Sequence, residues 1–215
     1  MMGKEKRWII LLLFSFLLFP IGCKGTSESE SSASVENTAL HSSDAEVASP
    51  AFTESESKIL IAYFSRTGNT EQIATLIHDY IGGELFKIEP AVPYDAAYSG
   101  VSAKAQEEQR NNARPELATQ VEDMDSYDIV FIGHPIWWGD APMMILSFLE
   151  EYDLSGKIVI PFCTYGSSGS GRSPDSISSA AKGATVLNGF SCRGADAARA
   201  GDDVVKWLDT LGIFD

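Results

Sequence analysis

The chain has 215 residues, of which 44% are hydrophobic and 10% aromatic, and its formal net charge at pH 7 is −14. This length suits one domain with a full apolar core and is short for two. A strongly acidic chain repels nucleic-acid phosphates, which argues against a nucleic acid as partner. The three cysteines, Cys23, Cys163 and Cys192, are too few for a disulfide framework, and their spacing matches no zinc pattern.

The N-terminus has the pattern of an export signal. A positive region and a nearly continuous apolar stretch precede a cysteine, in the order Lys4, Lys6, Arg7, residues 8–19 and Cys23. The apolar stretch is shorter than the roughly 20 residues that a membrane span needs. Residues 1–22 are therefore predicted to be a signal peptide.

The end of this segment, LLFPIGC, resembles the lipobox of bacterial lipoproteins, in which the cysteine is lipidated and becomes the new N-terminus. The resemblance implies that Cys23 is lipidated and that the protein is an extracytoplasmic, membrane-anchored lipoprotein of the bacterial cell envelope. Pro20 stands where a leucine is usual, so an ordinary signal peptide and an uncleaved anchor remain open alternatives.

A polar segment follows the signal. Residues 24–57 contain ten serines and seven acidic residues, with only scattered apolar side chains. Such a segment cannot bury enough apolar surface to offset the conformational entropy lost on folding. A disordered tether is therefore predicted over residues 23–57, and a folded domain over residues 58–215.

Strand and helix patterns alternate through the folded domain. Apolar runs predict strands at residues 58–64, 84–90, 127–135, 156–164 and 184–190. Helical periodicity predicts helices at residues 73–81, 141–152, 173–183 and 201–213, and the middle of residues 91–118 is helix-prone. This alternation predicts an α/β fold, a doubly wound five-stranded parallel sheet covered on both faces.

Ligands of such sheets bind beyond the carboxyl ends of the strands, and the loop after the first strand, SRTGNT, is rich in donors. It comprises Ser65, Arg66, Thr67, Gly68, Asn69 and Thr70. The free amides at a helix N-terminus attract an anion, and Gly68 lets the backbone approach it closely. The pattern GxxxxGK[ST] is absent, which favours a terminal monophosphate over a triphosphate.

Two further loops carry aromatic side chains and glycines. HPIWWGDAP supplies Pro135, Ile136, Trp137, Trp138 and Gly139. TYGSSGSG supplies Thr164, Tyr165, Gly166, Ser168 and Gly169. Adjacent tryptophans on a loop point in different directions, so at least one is expected to be exposed and able to stack on a flat ring. A phosphate at one loop and aromatic rings at two others point to flavin mononucleotide (FMN).

SRTGNT resembles the phosphate loop of flavodoxins. The stretches GHPIWWGDAPMMILSFLE and DLSGKIVIPFCTYGSSGSG are similar to a flavodoxin-like branch often named NAD(P)H-dependent FMN oxidoreductases. The resemblance covers residues 58–213 and implies the strand order 2-1-3-4-5. It also implies that residues 65–70 bind the FMN phosphate, Arg66 through its backbone, and that residues 135–139 and 164–169 flank the flavin ring.

Two redox functions and one non-redox function remain open. An electron carrier would pass electrons between protein partners, with the acidic surface steering basic ones. An enzyme would take hydride from NAD(P)H and reduce quinones or other small acceptors, although the sequence has no second dinucleotide fingerprint. The third reading is a binding lipoprotein with a degenerate pocket.

Five other residues each allow more than one interpretation. Outside the cytoplasm Cys163 and Cys192, on neighbouring predicted strands, would form a disulfide, stay inert core thiols or take a redox role. His134, at the end of the third strand, would relay protons or be an ordinary loop histidine. Tyr94 and Tyr98 would close over the site or pack on the edge of the domain.

Overall fold

A computed structural model describes residues 57–214. The predicted signal peptide, the predicted lipidation site Cys23 and all but the last residue of the predicted tether lie outside the described residues.

Strands and helices alternate through the described chain. The strands are β1 (Ile59–Tyr63), β2 (Glu84–Lys87), β3 (Ile129–Pro135), β4 (Ile158–Tyr165), β5 (Thr185–Val186) and β6 (Phe190–Arg193). The helices are α1 (Asn69–Ile81), α2 (Tyr98–Arg110), α3 (Met143–Glu151), α4 (Ser173–Ala180) and α5 (Gly201–Thr210), with 3₁₀ turns at Met124–Ser126 and Gly194–Arg199. Within residues 57–214, none of these helices combines the length and apolar character needed to cross a membrane.

All neighbouring strands pair in parallel, in the order β2-β1-β3-β4-β5, and β6 also pairs with β4. The predicted doubly wound sheet with order 2-1-3-4-5 is thus confirmed. The central strands β1, β3 and β4 are buried almost throughout, which is why their sequences are continuous apolar runs. Helices α3 and α4 pack on one face of the sheet, and α1 and α5 pack on the other.

The sequence predicts a single fifth strand over residues 184–190, but the structure has two short strands there, β5 and β6. The amide of Leu187 donates to the Val159 carbonyl at 3.0 Å, but the next residue of β4 that faces this neighbour is Pro161. Proline has no N–H to continue the ladder. The backbone of Gly189 passes so close that an added Cβ would lie 2.5 Å from the Pro161 carbonyl oxygen. The strand is therefore divided into β5 and β6.

The register separates the two cysteines of the domain. Cys163 lies opposite Ser191, and Thr164 lies opposite Cys192. Since successive side chains of a strand point to opposite faces, Cys163 and Cys192 project to opposite sides of the sheet, and both are free. Burial raises the pKa of Cys163 to about 12 and that of Cys192 to about 11. Both are protonated thiols at neutral pH, and the disulfide alternative does not fit this geometry.

Candidate functional site

The loops after β1, β3 and β4 meet at the carboxyl edge of the sheet, as the sequence predicts. Thr164 of β4 joins all three. Its hydroxyl shares a 2.9 Å hydrogen bond with the Thr70 hydroxyl of the first loop, and its carbonyl accepts a 2.8 Å bond from the amide of Ile136 in the second. The predicted phosphate and ring residues therefore form one site.

The first loop is built to receive an anion. Within the part of the chain that the structure describes, the amides of residues 65–71 donate no hydrogen bond to other protein groups. Gly68 has φ 86°, in the left-handed region, and turns the chain into α1. The Ser65 hydroxyl is buried and has no partner among the described residues. Burying the Ser65 hydroxyl without a partner costs free energy unless a ligand accepts a hydrogen bond from it.

The threonine pair keeps one further donor. Thr70 is 1% exposed and Thr164 is 4% exposed, and the two hydroxyls bond only to each other. Each hydroxyl carries one proton, and the shared bond uses one of the two. The second proton remains available to a ligand in the first loop.

The other members of the first loop are placed differently. The Arg66 guanidinium donates to the Ala96 carbonyl at 2.7 Å, so its side chain points away from the amides and only its backbone faces the site. The Asn69 side chain lies against Gly194, where an added Cβ would be 2.5 Å from the side-chain amide nitrogen of Asn69. Thr67 is exposed.

An aromatic cluster that the sequence did not reveal supports the second loop. Trp137 is half-buried, and its ring meets Phe64 edge-on at 5.3 Å and Tyr94 at 5.1 Å. The Tyr94 hydroxyl donates to the buried Glu108 carboxylate at 2.8 Å. Burial raises the pKa of Glu108, and burial together with that hydrogen bond raises the pKa of Tyr94. Tyr94 thus packs under the loop, and no sequence pattern links residues 64, 94 and 137.

Trp138 points away from this cluster, as predicted for adjacent tryptophans. It is 50% exposed, and its indole Nε1 donates to the Ser102 carbonyl of α2 at 2.9 Å. Trp138 and Gly139 have φ values of 50° and 75°, and the residues on either side, Trp137 and Asp140, bond to each other through both amides at 2.9 and 3.0 Å. A tryptophan in the left-handed region is rare, and these bonds hold it there.

The second and third loops are locked together. The Gly139 carbonyl accepts from the Arg172 amide at 2.9 Å, and a Cβ on Gly171 would collide with that carbonyl. The buried carboxylate of Asp140 accepts from the Ser176 hydroxyl at 3.0 Å and lies 3.4 Å from the Arg172 guanidinium. The turn that carries the tryptophans is therefore fixed to the start of α4.

The remaining predicted ring residues lie at the ends of β3 and β4 and in the loop that follows β4. Pro135 and Ile136 are half-buried at the end of β3. In the third loop, Tyr165 and Gly169 are half-buried, whereas Gly166 and Ser168 are exposed. The structure thus brings every predicted cofactor-binding residue to one edge of the sheet.

His134 is a core residue of β3 and not a loop histidine. It is fully buried, and desolvation lowers its pKa to about 4, so the ring is neutral at pH 7. Its Nδ1 lies 3.2 Å from the Pro135 carbonyl, and its Nε2 is buried without a partner among the described residues. With its pKa this low, His134 is a poor proton relay near neutral pH.

This fold and this edge define an α/β protein whose carboxyl-edge loops suit a ligand with a phosphate and a flat ring. A family model described as flavodoxin matches residues 58–211. The chain belongs to the flavodoxin family.

Solved structures of flavoproteins resemble the domain. One, assigned as a flavoprotein from Bacteroides eggerthii DSM 20697, is 34% identical with a TM-score of 0.63, and the match covers 73% of this chain and 98% of that one. A similar assigned flavoprotein from Bacteroides uniformis ATCC 8492 is 33% identical with a TM-score of 0.64, covering 71% and 98%. The Lactobacillus acidophilus NCFM flavoprotein, solved in complex with FMN, is 25% identical with a TM-score of 0.59, covering 71% and 99%. The search of curated proteins gave no match.

Proposed function

We propose that this protein is an FMN-binding electron-transfer protein of the flavodoxin family. The observation that carries the proposal is the buried Ser65 hydroxyl, which has no partner among the described residues and lies at a helix N-terminus whose amides are free. Those donors fit a phosphate monoester. The family and the FMN complex of the Lactobacillus relative support the choice of FMN.

The residues present fit this cofactor. Ser65, the amides of residues 66–69 and the free proton of the Thr70–Thr164 pair would hold the phosphate. Residues 135–139 and 164–169 would flank the ring. FMN, when bound, supplies one-electron and two-electron chemistry. The protein binds and orients the group. Hydrogen bonds and an ion pair between the second and third loops fix the residues that would flank the ring.

A fluorescence titration tests this proposal. FMN fluorescence is followed as the protein is added, with riboflavin, which lacks the phosphate, in parallel. Tight quenching of FMN and weak quenching of riboflavin are expected, because the first loop recognises the phosphate. Equal affinity for the two flavins would contradict the role of residues 65–70, and no quenching of either would contradict FMN binding.

The second candidate is an NAD(P)H-dependent FMN oxidoreductase. It is favoured by the exposed aromatic side chains of Tyr98 and Trp138, which line a cavity of about 320 Å³ together with the other predicted ring residues Ile136, Trp137, Gly139 and Ser168. The FMN-loaded protein is mixed with NADH or NADPH, with and without a quinone. Catalytic consumption of the nicotinamide supports the enzyme, and its absence supports the carrier.

We further propose that the protein is exported and lipidated on Cys23. The support is the LLFPIGC pattern, which resembles a lipobox. Cys23→Ser is expected to move the protein from the membrane fraction to the soluble fraction. An unchanged membrane fraction would contradict lipidation.

A further inference from the structure

A small cavity lies where the fifth strand of the sheet is divided. After the bond from Leu187 to Val159, the chain leaves the edge of β4 beside Pro161. A cavity of about 140 Å³ lies there, between the sheet and the start of α4, and its wall includes Pro161, Leu187 and Ser173. Among the described residues that line it, none is predicted to bind FMN. The cavity is therefore separate from the residues assigned to the cofactor.

Two metal-ligating side chains contribute to the wall of this cavity. His134 of β3 lies opposite Cys163 of β4 in the register, and neighbouring strands are about 4.8 Å apart. Residues that lie opposite each other in a parallel sheet project to the same face. That face is the one covered by α3 and α4, because Ile132, two residues before His134, belongs to the core there. His134 is 0% exposed and Cys163 is 4% exposed, so an imidazole and a thiol are buried neighbours.

The imidazole of His134 has a nitrogen lone pair to offer. Its Nδ1 lies 3.2 Å from the Pro135 carbonyl oxygen, and since a carbonyl only accepts, the ring proton is on Nδ1. Nε2 then carries the lone pair, and it is buried without a partner among the described residues. Histidines that bind metals usually have this arrangement, in which the other ring nitrogen donates to a carbonyl or carboxylate.

The number and kind of the ligands select the ion. Within residues 57–214, no group of three or more His, Cys, Asp and Glu residues could hold a metal ion, so a structural Zn²⁺ site with four protein ligands is incomplete here. Thiolate and imidazole are ligands that suit Cu(I), an ion for which two ligands are enough. One thiolate, one neutral imidazole and one monovalent cation have no net charge, which reduces the free-energy cost of burying the ion.

We propose that Cys163 and His134 bind one Cu(I) ion, through Sγ and Nε2. On binding, the S–H bond of Cys163 breaks, an S–Cu bond forms and the thiol proton passes to the solvent. Copper stays in the Cu(I) state, so no electron is transferred. The site does not depend on FMN, and it gives the buried Nε2 of His134 a partner.

Competition for Cu(I) between the full-length protein and bicinchoninate, under anaerobic conditions, tests the proposal through the colour of the chelator complex. The starting protein carries Cys23→Ser, which removes the thiol outside the described residues. We expect it to take one Cu(I) ion from the chelator. Cys163→Ser and His134→Gln should each weaken binding by more than the roughly 10- to 100-fold that loss of an outer-shell partner costs. Cys192→Ser is the matched control, because it removes a half-buried thiol on the opposite face of the sheet, and it should leave the affinity unchanged.

X-ray absorption at the copper edge gives a second measurement that needs no variant in the cavity. With one equivalent of Cu(I), the starting protein should show one sulfur and one nitrogen neighbour, and this result decides the proposal even if a buried substitution prevents folding. Failure to take up Cu(I), two sulfur neighbours, or an equal loss of affinity in Cys192→Ser would overturn the site. Unchanged affinity in folded Cys163→Ser or His134→Gln would overturn it as well.

Discussion

Replacing Ser65 by alanine removes the donor on which the FMN assignment depends most. Its hydroxyl is buried and has no partner among the described residues, so the substitution breaks no bond within the described domain. A hydrogen bond to a charged acceptor contributes roughly 1.5–3 kcal/mol. The dissociation constant for FMN is therefore expected to rise by about 10- to 150-fold, while the affinity for riboflavin stays unchanged because riboflavin has no phosphate.

The assay is a paired titration of the parent, Ser65→Ala and Ser147→Ala with both flavins. Ser147 is a half-buried serine on α3 whose hydroxyl donates to the Met143 carbonyl at 3.4 Å, away from the site, and its loss is expected to leave both affinities unchanged. The free energy of unfolding of FMN-free Ser65→Ala should equal or exceed that of the parent, since an unpaired buried hydroxyl is removed. FMN affinity equal to that of the parent, or equal losses for FMN and riboflavin, would refute the reasoning.

Three further predictions follow from the contacts around the site. Gly194→Ala is expected to displace the Asn69 side chain, because the added Cβ would lie 2.5 Å from its side-chain amide nitrogen. In the same titration, the affinity for FMN should fall about tenfold and the affinity for riboflavin should not fall. Tyr94→Phe is expected to lower the free energy of unfolding by about 1–3 kcal/mol in urea, because the buried Glu108 carboxylate loses its donor. Burial lowers the pKa of His134 from 6.5 to about 4. The free energy of unfolding is therefore unaffected by this histidine above pH 6.5 and falls as the pH decreases from 6.5 to 4, because the unfolded chain takes up a proton there and the folded chain does not. The loss is expected to reach about 3 kcal/mol, and His134→Gln should flatten this pH dependence in urea titrations.

Much of the fold was predictable because buried parallel strands leave a strong pattern. The runs KILIAYF, YDIVFIGHP and GKIVIPFCT are apolar at nearly every position, as expected for strands covered on both faces. Their order along the chain, with helices between them, leaves few topologies. The loops could be predicted for a different reason, since a dense run of hydroxyl, amide and glycine residues exceeds what a helix cap needs.

The features that sequence reasoning missed depend on contacts between distant segments. The cluster of Phe64, Tyr94 and Trp137 joins residues that no local pattern connects, and the bond from Arg66 to Ala96 spans 30 residues. The division of the fifth strand had a signal in the sequence, namely a proline inside a central strand, VIPFC. A proline there predicts a break in the ladder on one side, but only the register shows which neighbour faces it.

The charge of the described domain is negative at both edges of the sheet. At the carboxyl edge, five basic side chains face eight carboxylates, because the first turns of α1, α4 and α5 are acidic. The basic residues are Arg66, Lys87, Arg172, Arg193 and Arg199, and the acidic ones are Glu71, Glu89, Asp95, Asp140, Asp175, Asp196, Asp202 and Asp203. At the amino edge, four carboxylates precede β3 within seven residues: Glu122, Asp123, Asp125 and Asp128. The five residues of β1 separate the two edges by about 17 Å, roughly twice the Debye length at physiological salt.

This distribution supports what the acidic composition predicts. From the sequence alone, a net charge of −14 indicates that an electron carrier of this kind would steer basic protein partners. In the structure, carboxylates outnumber basic side chains at the carboxyl edge as well. Because the two edges lie about two Debye lengths apart, the carboxylates of the rim itself attract a basic partner to the site. The distribution of charge therefore favours the proposed electron carrier with a basic protein partner.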